Sequence, residues 1–296
     1  MTVRLAMIGQ FSGDAVPEGL SARNCVRLAV AQRHARSGST SQFGIAKFDN
    51  VCDPATGPGV VREAGADGTM VAAVAHYCST VGLATMHEFH AHRLPAVFWG
   101  TIHPDITHAN AYLEFHRVNG AWANQEDATA TFFTRLGYRR WAFIHDGSFH
   151  GRTHSKFFPR YLAEAGGTIA ATFEVAVERC SLKAEMARVT ALDPDVVYAA
   201  AAFDAPLQPY GAFAYAAAQF IMDAAERVGA SRSLVCRFLN GVIDHPTVLG
   251  PVTFDAQGRN RNPPVTFWAV QDARCVTRAK SRRGRGTIPP AHSPCG

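Results

Sequence analysis

No stretch of this 296-residue chain stays apolar for the ~18 residues that a membrane-spanning helix requires. Its seven cysteines include no CxxC pair, which removes the zinc-ribbon and thioredoxin-like readings. An odd count leaves at least one thiol free or bridged to another molecule. No GxSxG elbow and no P-loop occur, and the Gly9–Gly13 segment lacks the third glycine of a dinucleotide fingerprint. The run His87-Glu88-Phe89-His90-Ala91-His92 is not HExxH, because the second histidine comes one residue early. On a helix His87 and His90 share a face and His92 does not, so a polar helix face explains the run better than a metal site. No cofactor is implied. No charged, apolar and small-residue succession of a signal peptide precedes the first strand-like run at Val3. Either such a signal has been removed, the start is misplaced, or the chain works in the cytoplasm.

What is present is an alternating pattern. Hydrophobic residues make up 47% of the chain, enough for one or two cores. Strand-like runs at 3–9, 43–48, 70–75 and 95–100 alternate with helical patterns at 20–36 and 79–92. The alternation then repeats, with helices at 125–136, 154–165 and 182–192 and strands at 140–145, 168–175 and 196–202. Such succession predicts βαβ units, parallel sheets and two α/β lobes. A helix due near 55–66 is interrupted by Gly57, Pro58, Gly59 and Gly65, and the spacing predicts it short or frayed. A long helix at 211–228 precedes a weaker one at 231–239 and strand-like runs at 251–254 and 265–270.

The net charge of +5 is concentrated at the end, in Arg274, Arg278, Lys280, Arg282, Arg283 and Arg285. No aromatic residues interleave with them, so this stretch reads as a solvated, disordered tail over 276–296 rather than a nucleic-acid surface.

Several segments, in order, resemble one family. They are Ile8-Gly9-Gln10-Phe11-Ser12-Gly13, Ser21-Ala22-Arg23-Asn24, Phe48-Asp49-Asn50-Val51-Cys52-Asp53-Pro54 and His76-Tyr77-Cys78-Ser79-Thr80. Pro104-Asp105-Ile106-Thr107, Ile144-His145-Asp146, Asp193-Pro194-Asp195-Val196-Val197-Tyr198 and Gly250-Pro251-Val252-Thr253-Phe254-Asp255 continue the register. Together they resemble the leucine/isoleucine/valine-type periplasmic solute-binding proteins of ABC transporters, over about residues 3–272.

The resemblance implies an α/β, two-lobed type I periplasmic-binding-protein fold. Each lobe is a parallel sheet flanked by helices, with ligand held in the cleft between them. The first lobe is expected at 1–119 plus about 207–245, and the second at about 120–204 plus 246–275. It further implies reversible capture of an amino acid or similar small molecule, an ABC permease as partner, no nucleic acid, a monomer, a periplasmic location and no enzyme activity. A cytoplasmic ligand sensor of the same fold is the alternative.

Ser79, opening a helix after a strand, is the expected contact for an anionic ligand end; a plain helix N-cap is its bland reading. Gly100 and Thr101 match the next ligand loop, and Tyr77 lies beside it. His150 stands where the family has an aromatic residue. It is expected to stack on the ligand or pair with its carboxylate, against an exposed loop histidine. Cys52 and Cys78 lie just beyond strand ends in adjacent loops and are expected to bridge if the protein is exported. Between Asp204 and Tyr210 the chain passes directly to the returning helix, where the family has further strands and helices. The second lobe is therefore expected to be incomplete, with weak or absent ligand binding.

Overall fold

The computed structural model describes residues 2–13, 16–36, 41–108, 110–175, 183–200, 210–271 and 274–281, the backbone alone beyond 265. In chain order the elements are β1 (Thr2–Gly9), α1 (Val16–Ala35), β2 (Gln42–Asp49), α2 (Gly57–Ala66), β3 (Met70–Ala75), α3 (Ser79–Ala91), β4 (Ala96–Phe98) and β5 (Phe115–Arg117). They continue with α4 (Trp122–Arg135), β6 (Arg140–His145), α5 (Phe149–Glu164), β7 (Thr168–Glu174), α6 (Lys183–Ala191) and β8 (Val196–Ala200). The last are α7 (Gly211–Val228), α8 (Arg232–Asn240), β9 (Val265–Gln271) and β10 (Arg274–Ser281). Two compact units result, Met1–Ala121 with Leu207–Pro264, and Trp122–Pro206 with Val265–Gly296.

The first unit is built on a sheet of order β2-β1-β3-β4-β5, parallel throughout. Both faces of its central strand are buried. Leu5 and Met7 pack with Val74, Trp99, Ala217, Phe220 and Ile221 on the side of α1 and α7. Ala6 and Ile8 face Ala73, Ala75, Val61, Phe89 and Phe98 on the side of α2 and α3. Sheets covered on both faces read as continuous apolar runs, and Met70–Ala75 is one. Each large side chain buried this way contributes roughly 1.5–3 kcal/mol.

The helix predicted short or frayed is short, at ten residues, and regular, α2. Pro58 occupies its first turn, where a proline costs no hydrogen bond. Two of its glycines permit close packing on α3. A Cβ at Gly57 would lie 2.8 Å from Val81 Cγ1, and one at Gly65 would lie 2.4 Å from His92 Cγ. Helix contact recovers what the glycines lose in propensity.

The segment 246–264, expected in the second lobe, belongs to the first unit. His245 exchanges backbone hydrogen bonds with Val252, and its Nε2–H donates to Asp223 Oδ2 of α7 at 2.8 Å. Asp223 also pairs with Arg33 of α1, whose guanidinium reaches Glu226 at 2.7 Å. Residues 251–254 form isolated bridges to His245 and Asn260 rather than a strand.

The second unit carries a parallel sheet of order β7-β6-β8. Trp141, Phe143, Phe158 and Leu162 pack on one face of it, and Ala142, Ile144, Phe173 and Val189 on the other. β9 and β10 pair antiparallel, with Thr277 opposite Trp268. Residues 276–281, expected in the disordered tail, are therefore strand, and 282–296 lie outside the described residues. So does 201–209, where the missing elements of the second lobe were expected.

Candidate functional site

The first unit gathers its chemistry at the carboxyl ends of its strands, the edge where parallel α/β sheets bind ligands. After β1, Gln10 is fully buried and neither of its side-chain polar atoms has a partner among the described residues. Phe11 N–H and Ser12 Oγ–H both donate to Asp49, at 2.8 and 2.7 Å. Burial alone would raise the Asp49 carboxyl, but these two bonds and that from Val51 N–H hold it below its ordinary value.

After β3 comes His76-Tyr77-Cys78-Ser79. His76 is buried; its Nδ1 sits 2.9 Å from Asn50 Nδ2 and its Nε2 3.0 Å from Thr85 Oγ1. Thr85 Oγ1 itself donates to Val81 O at 2.8 Å. Asn50 donating to Nδ1 fixes the proton on Nε2, so the ring is neutral, and burial pushes its pKa down to about 3. This trio ties the loop after β2 to the loop after β3. The same two loops are joined covalently by a Cys52–Cys78 disulfide, with Cα atoms 5.8 Å apart.

Ser79 is not a helix cap. Cys78 holds the N-cap position of α3 without a side-chain bond, and Ser79 lies one residue inside. Its hydroxyl instead accepts from the amides of Ile102 and His103, at 3.0 and 3.2 Å. Both lone pairs are thus used by the loop after β4, and the single proton of this half-buried hydroxyl remains to donate elsewhere.

Gly100 brings that loop against Tyr77; a Cβ on it would lie 2.8 Å from Tyr77 Cδ2 and 2.9 Å from Tyr77 Cα. Thr101 is fully buried and its Oγ1 has no partner among the described residues. Tyr77 packs its ring on Trp99, centroids 5.8 Å apart, and edge-on to Tyr210 at 5.1 Å. Burial raises its phenol well above the ordinary range, so it stays protonated. The structure thus brings Tyr77, Ser79, Gly100 and Thr101 together.

His150 belongs to the second unit, and it is not a loop residue. α5 begins at Phe149, five residues earlier than its apolar pattern, because Ser148 caps it by accepting from Gly151 N–H at 3.0 Å. The His150 ring lies 5.5 Å from that of Trp122 and 4.5 Å from that of His154. Burial first, then His154, push its pKa down to about 4, with Asp146 opposing. A neutral ring suits stacking better than pairing with a carboxylate.

Sequence reasoning missed the buried polar residues behind these loops: Arg117 and Asn119 in the first unit, Glu126 and His154 in the second. None sits in a recognisable motif; only polar residues at positions patterned as buried signal them. Of the histidine run, His90 pairs with Glu114 at 3.0 Å, and no cluster fit for a metal occurs among the described residues. A groove of about 980 Å³ lined by Met70, Arg93, Leu113, Arg232 and Cys236 lies at the opposite edge of the same sheet, away from these loops.

Comparison with known proteins bears on the fold and the family. No curated protein sequence matches the chain. Among solved structures, a leucine-binding protein from Thermotoga maritima superposes with TM-score 0.77 at 16% identity, covering 94% of this chain and 98% of that one. An ABC transporter substrate-binding protein from Desulfitobacterium hafniense, in complex with Leu, gives 0.80 at 15% identity, covering 94% and 100%. A solute-binding protein from R. palustris, in complex with benzoate, gives 0.78 at 12% identity, covering 98% of each. The fold is the two-unit α/β fold of type I periplasmic binding proteins. The sequence profile of the periplasmic binding proteins, a family that binds rather than catalyses, matches residues 2–209, and the chain belongs to that family.

Proposed function

We propose that this chain is the solute-binding component of an ABC importer for branched-chain or related amino acids and other small carboxylates. The observation that carries this reading is the Ser79 hydroxyl. Two backbone amides fix its oxygen, so its proton is preset to donate to an acceptor at the N-terminal end of α3, where the helix dipole favours an anion. The loop Gly100–Thr101 supplies backbone groups and a hydroxyl beside it. Ser79, Gly100 and Thr101 hold the ligand's acidic end, with Tyr77 packing the loop from behind. In the second unit His150 offers a neutral ring for an apolar or aromatic part of a ligand.

Solved structures of the same fold have Leu or benzoate bound, two ligands that share a carboxylate and little else. The Cys52–Cys78 disulfide suits an oxidising compartment, which supports a periplasmic location over a cytoplasmic sensor. A permease is the partner the reading implies. No helix among the described residues is long and apolar enough to cross a membrane.

Calorimetry against L-leucine, L-valine, benzoate and 4-hydroxybenzoate tests it. The expected result is binding of at least one carboxylate, with a Kd weaker than about 1 μM, the affinity expected of an incomplete second lobe. Preference for an uncharged or cationic solute, or no binding across the panel, overturns it.

A further inference from the structure

We propose that Arg117 and Asn119 are positioning residues that set the Gly100–His103 loop, and that the Arg117 charge makes this loop prefer a carboxylate. This rests on the reading of the chain as a carboxylate binder. Arg117 ends β5 and Asn119 follows two residues on, so both side chains leave the extended chain on the same face. They take hold of two carbonyls that are also two residues apart. Asn119 Nδ2 donates to Thr101 O at 2.9 Å, and Arg117 Nη1 donates to His103 O at 2.9 Å. Arg117 Nη2 adds a bond to Thr107 Oγ1 at 2.5 Å. The loop's amides at 102 and 103 are held meanwhile by Ser79 Oγ. The segment is thus fixed from both sides, carbonyls by β5 and amides by α3.

Arg117 is an unusual choice for this task. It is 1% exposed, and no carboxylate lies within ion-pair distance of it among the described residues. Its Nε is buried without a partner among those residues. Asp255, the acid that acts on it at longer range, is bonded to Arg259 Nε at 2.6 Å, so that pair adds no net charge. The neighbouring His116 is also buried and, with its pKa pushed down to about 3 by burial, is neutral. A buried cation is costly, and a neutral glutamine would donate to the His103 carbonyl more cheaply. What a neutral donor cannot supply is a fixed positive potential under the loop. A unit charge on the order of 10 Å from an anion, at an effective dielectric of about 20, changes affinity by roughly tenfold.

Three variants separate the anchor from the charge. Arg117→Met removes both, Arg117→Lys keeps the charge and loses the fork, and Thr107→Val removes one anchoring partner and leaves the cation. Hydrogen exchange is read at the Ile102 and His103 amides against Val97 and Phe98 in β4. Calorimetry compares benzoate with benzamide and L-leucine with L-leucinamide. In Arg117→Met the two loop amides should exchange at least about tenfold faster while β4 stays protected. The carboxylate-to-amide preference should fall by about tenfold, and Arg117→Lys should restore most of it. Thr107→Val should speed exchange at the loop and leave the preference unchanged. Equal loss for benzoate and benzamide in Arg117→Met overturns the charge role. Unchanged exchange at Ile102 and His103 overturns the positioning role. If Arg117→Met does not fold, Arg117→Lys and Thr107→Val still decide both, since a lysine that loses the preference or a valine that abolishes it contradicts the proposal. Should the parent bind none of the four probes, the function reading fails, and exchange at the loop alone decides the anchor.

Discussion

Glu126 of α4 and His154 of α5 meet in the interior of the second unit, Oε1 to Nδ1 at 3.0 Å, with the two side chains 0% and 2% exposed. Tyr198 Oη lies 3.4 Å from the same Nδ1, and Trp122 packs its ring 5.2 Å from the imidazole. Neither Glu126 oxygen meets hydrogen-bond geometry, so burial outweighs pairing. It pushes the Glu126 carboxyl up to about 8 and the His154 imidazole down to about 4.

The pH dependence of stability follows from those two shifts. From pH 4.5 to 8 an unfolded Glu126 is ionised while the folded one keeps its proton, so stability falls as pH rises. From pH 4 to 6.5 an unfolded His154 is protonated while the folded one is not, so that contribution rises. The two slopes oppose each other up to pH 6.5, and only the glutamate slope remains between 6.5 and 8. The second unit should therefore lose about 2 kcal/mol across that window. Urea unfolding at the two pH values measures it, and Glu126→Gln should flatten the dependence.

Reduction of Cys52–Cys78 should destabilise the first unit. Val51 and Cys52 both sit at positive φ, 46° and 57°, a costly conformation for residues other than glycine, and the bond holds them there. The sequence separation of 26 gives about 3–4 kcal/mol in the chain-entropy picture. The His76–Asn50–Thr85 trio should keep the loops in register after reduction, so the melting temperature should drop without loss of the fold. Thermal melts with and without a dithiol reductant decide it. No change would mean that the loops are held by the trio alone.

The architecture was legible because parallel strands buried on both faces print uninterrupted apolar runs such as Met70–Ala75. The loops that carry the proposed site were legible in part: Ser79 follows a strand-like run, and Gly100 and Thr101 were marked by the family resemblance. What escaped reading depends on contacts distant in sequence. α2 looked broken because its glycines were scored for propensity, while their purpose is the close approach of Val81 and His92. The start of α5 was hidden by its capping serine and a Phe149-His150-Gly151 stretch without apolar period. Residues 246–264, with their strand-like run at 251–254, read as part of the second lobe, since nothing local shows that His245 bonds to Asp223 of α7. Arg117 escaped because a buried arginine without an acidic partner has no sequence signature.

Ser79→Ala should weaken both binding and folding. Its hydroxyl accepts from two amides of another loop, so removal leaves the Ile102 and His103 N–H groups without their partner. The cost to the first unit should be about 1–3 kcal/mol, more than the loss of an ordinary cap. Benzoate or L-leucine affinity should fall further than stability does, because the loop and the donated proton are lost together. Calorimetry and urea unfolding on one preparation check this. Equal affinity in parent and variant removes Ser79 from the ligand contacts.

Gly100→Ala tests the contact between the two ligand loops with the smallest possible change. The added methyl would lie 2.8 Å from the Tyr77 ring and 2.9 Å from the Tyr77 Cα. The ring has little room to swing away, since Trp99 and Tyr210 pack against it. The Cα belongs to the segment pinned by His76 and the disulfide. The loop after β4 must therefore give way, shifting the Ile102 and His103 amides off Ser79 Oγ. Overpacking of this kind costs about 1–3 kcal/mol, and the geometric error falls on the loop rather than on the core. The variant should keep its β-sheet, lose part of its stability and lose most carboxylate binding. Tyr77→Ala in the Gly100→Ala background removes the ring and leaves the Cα, so it should recover stability only in part. Full recovery would show that the ring alone sets the spacing of the loops.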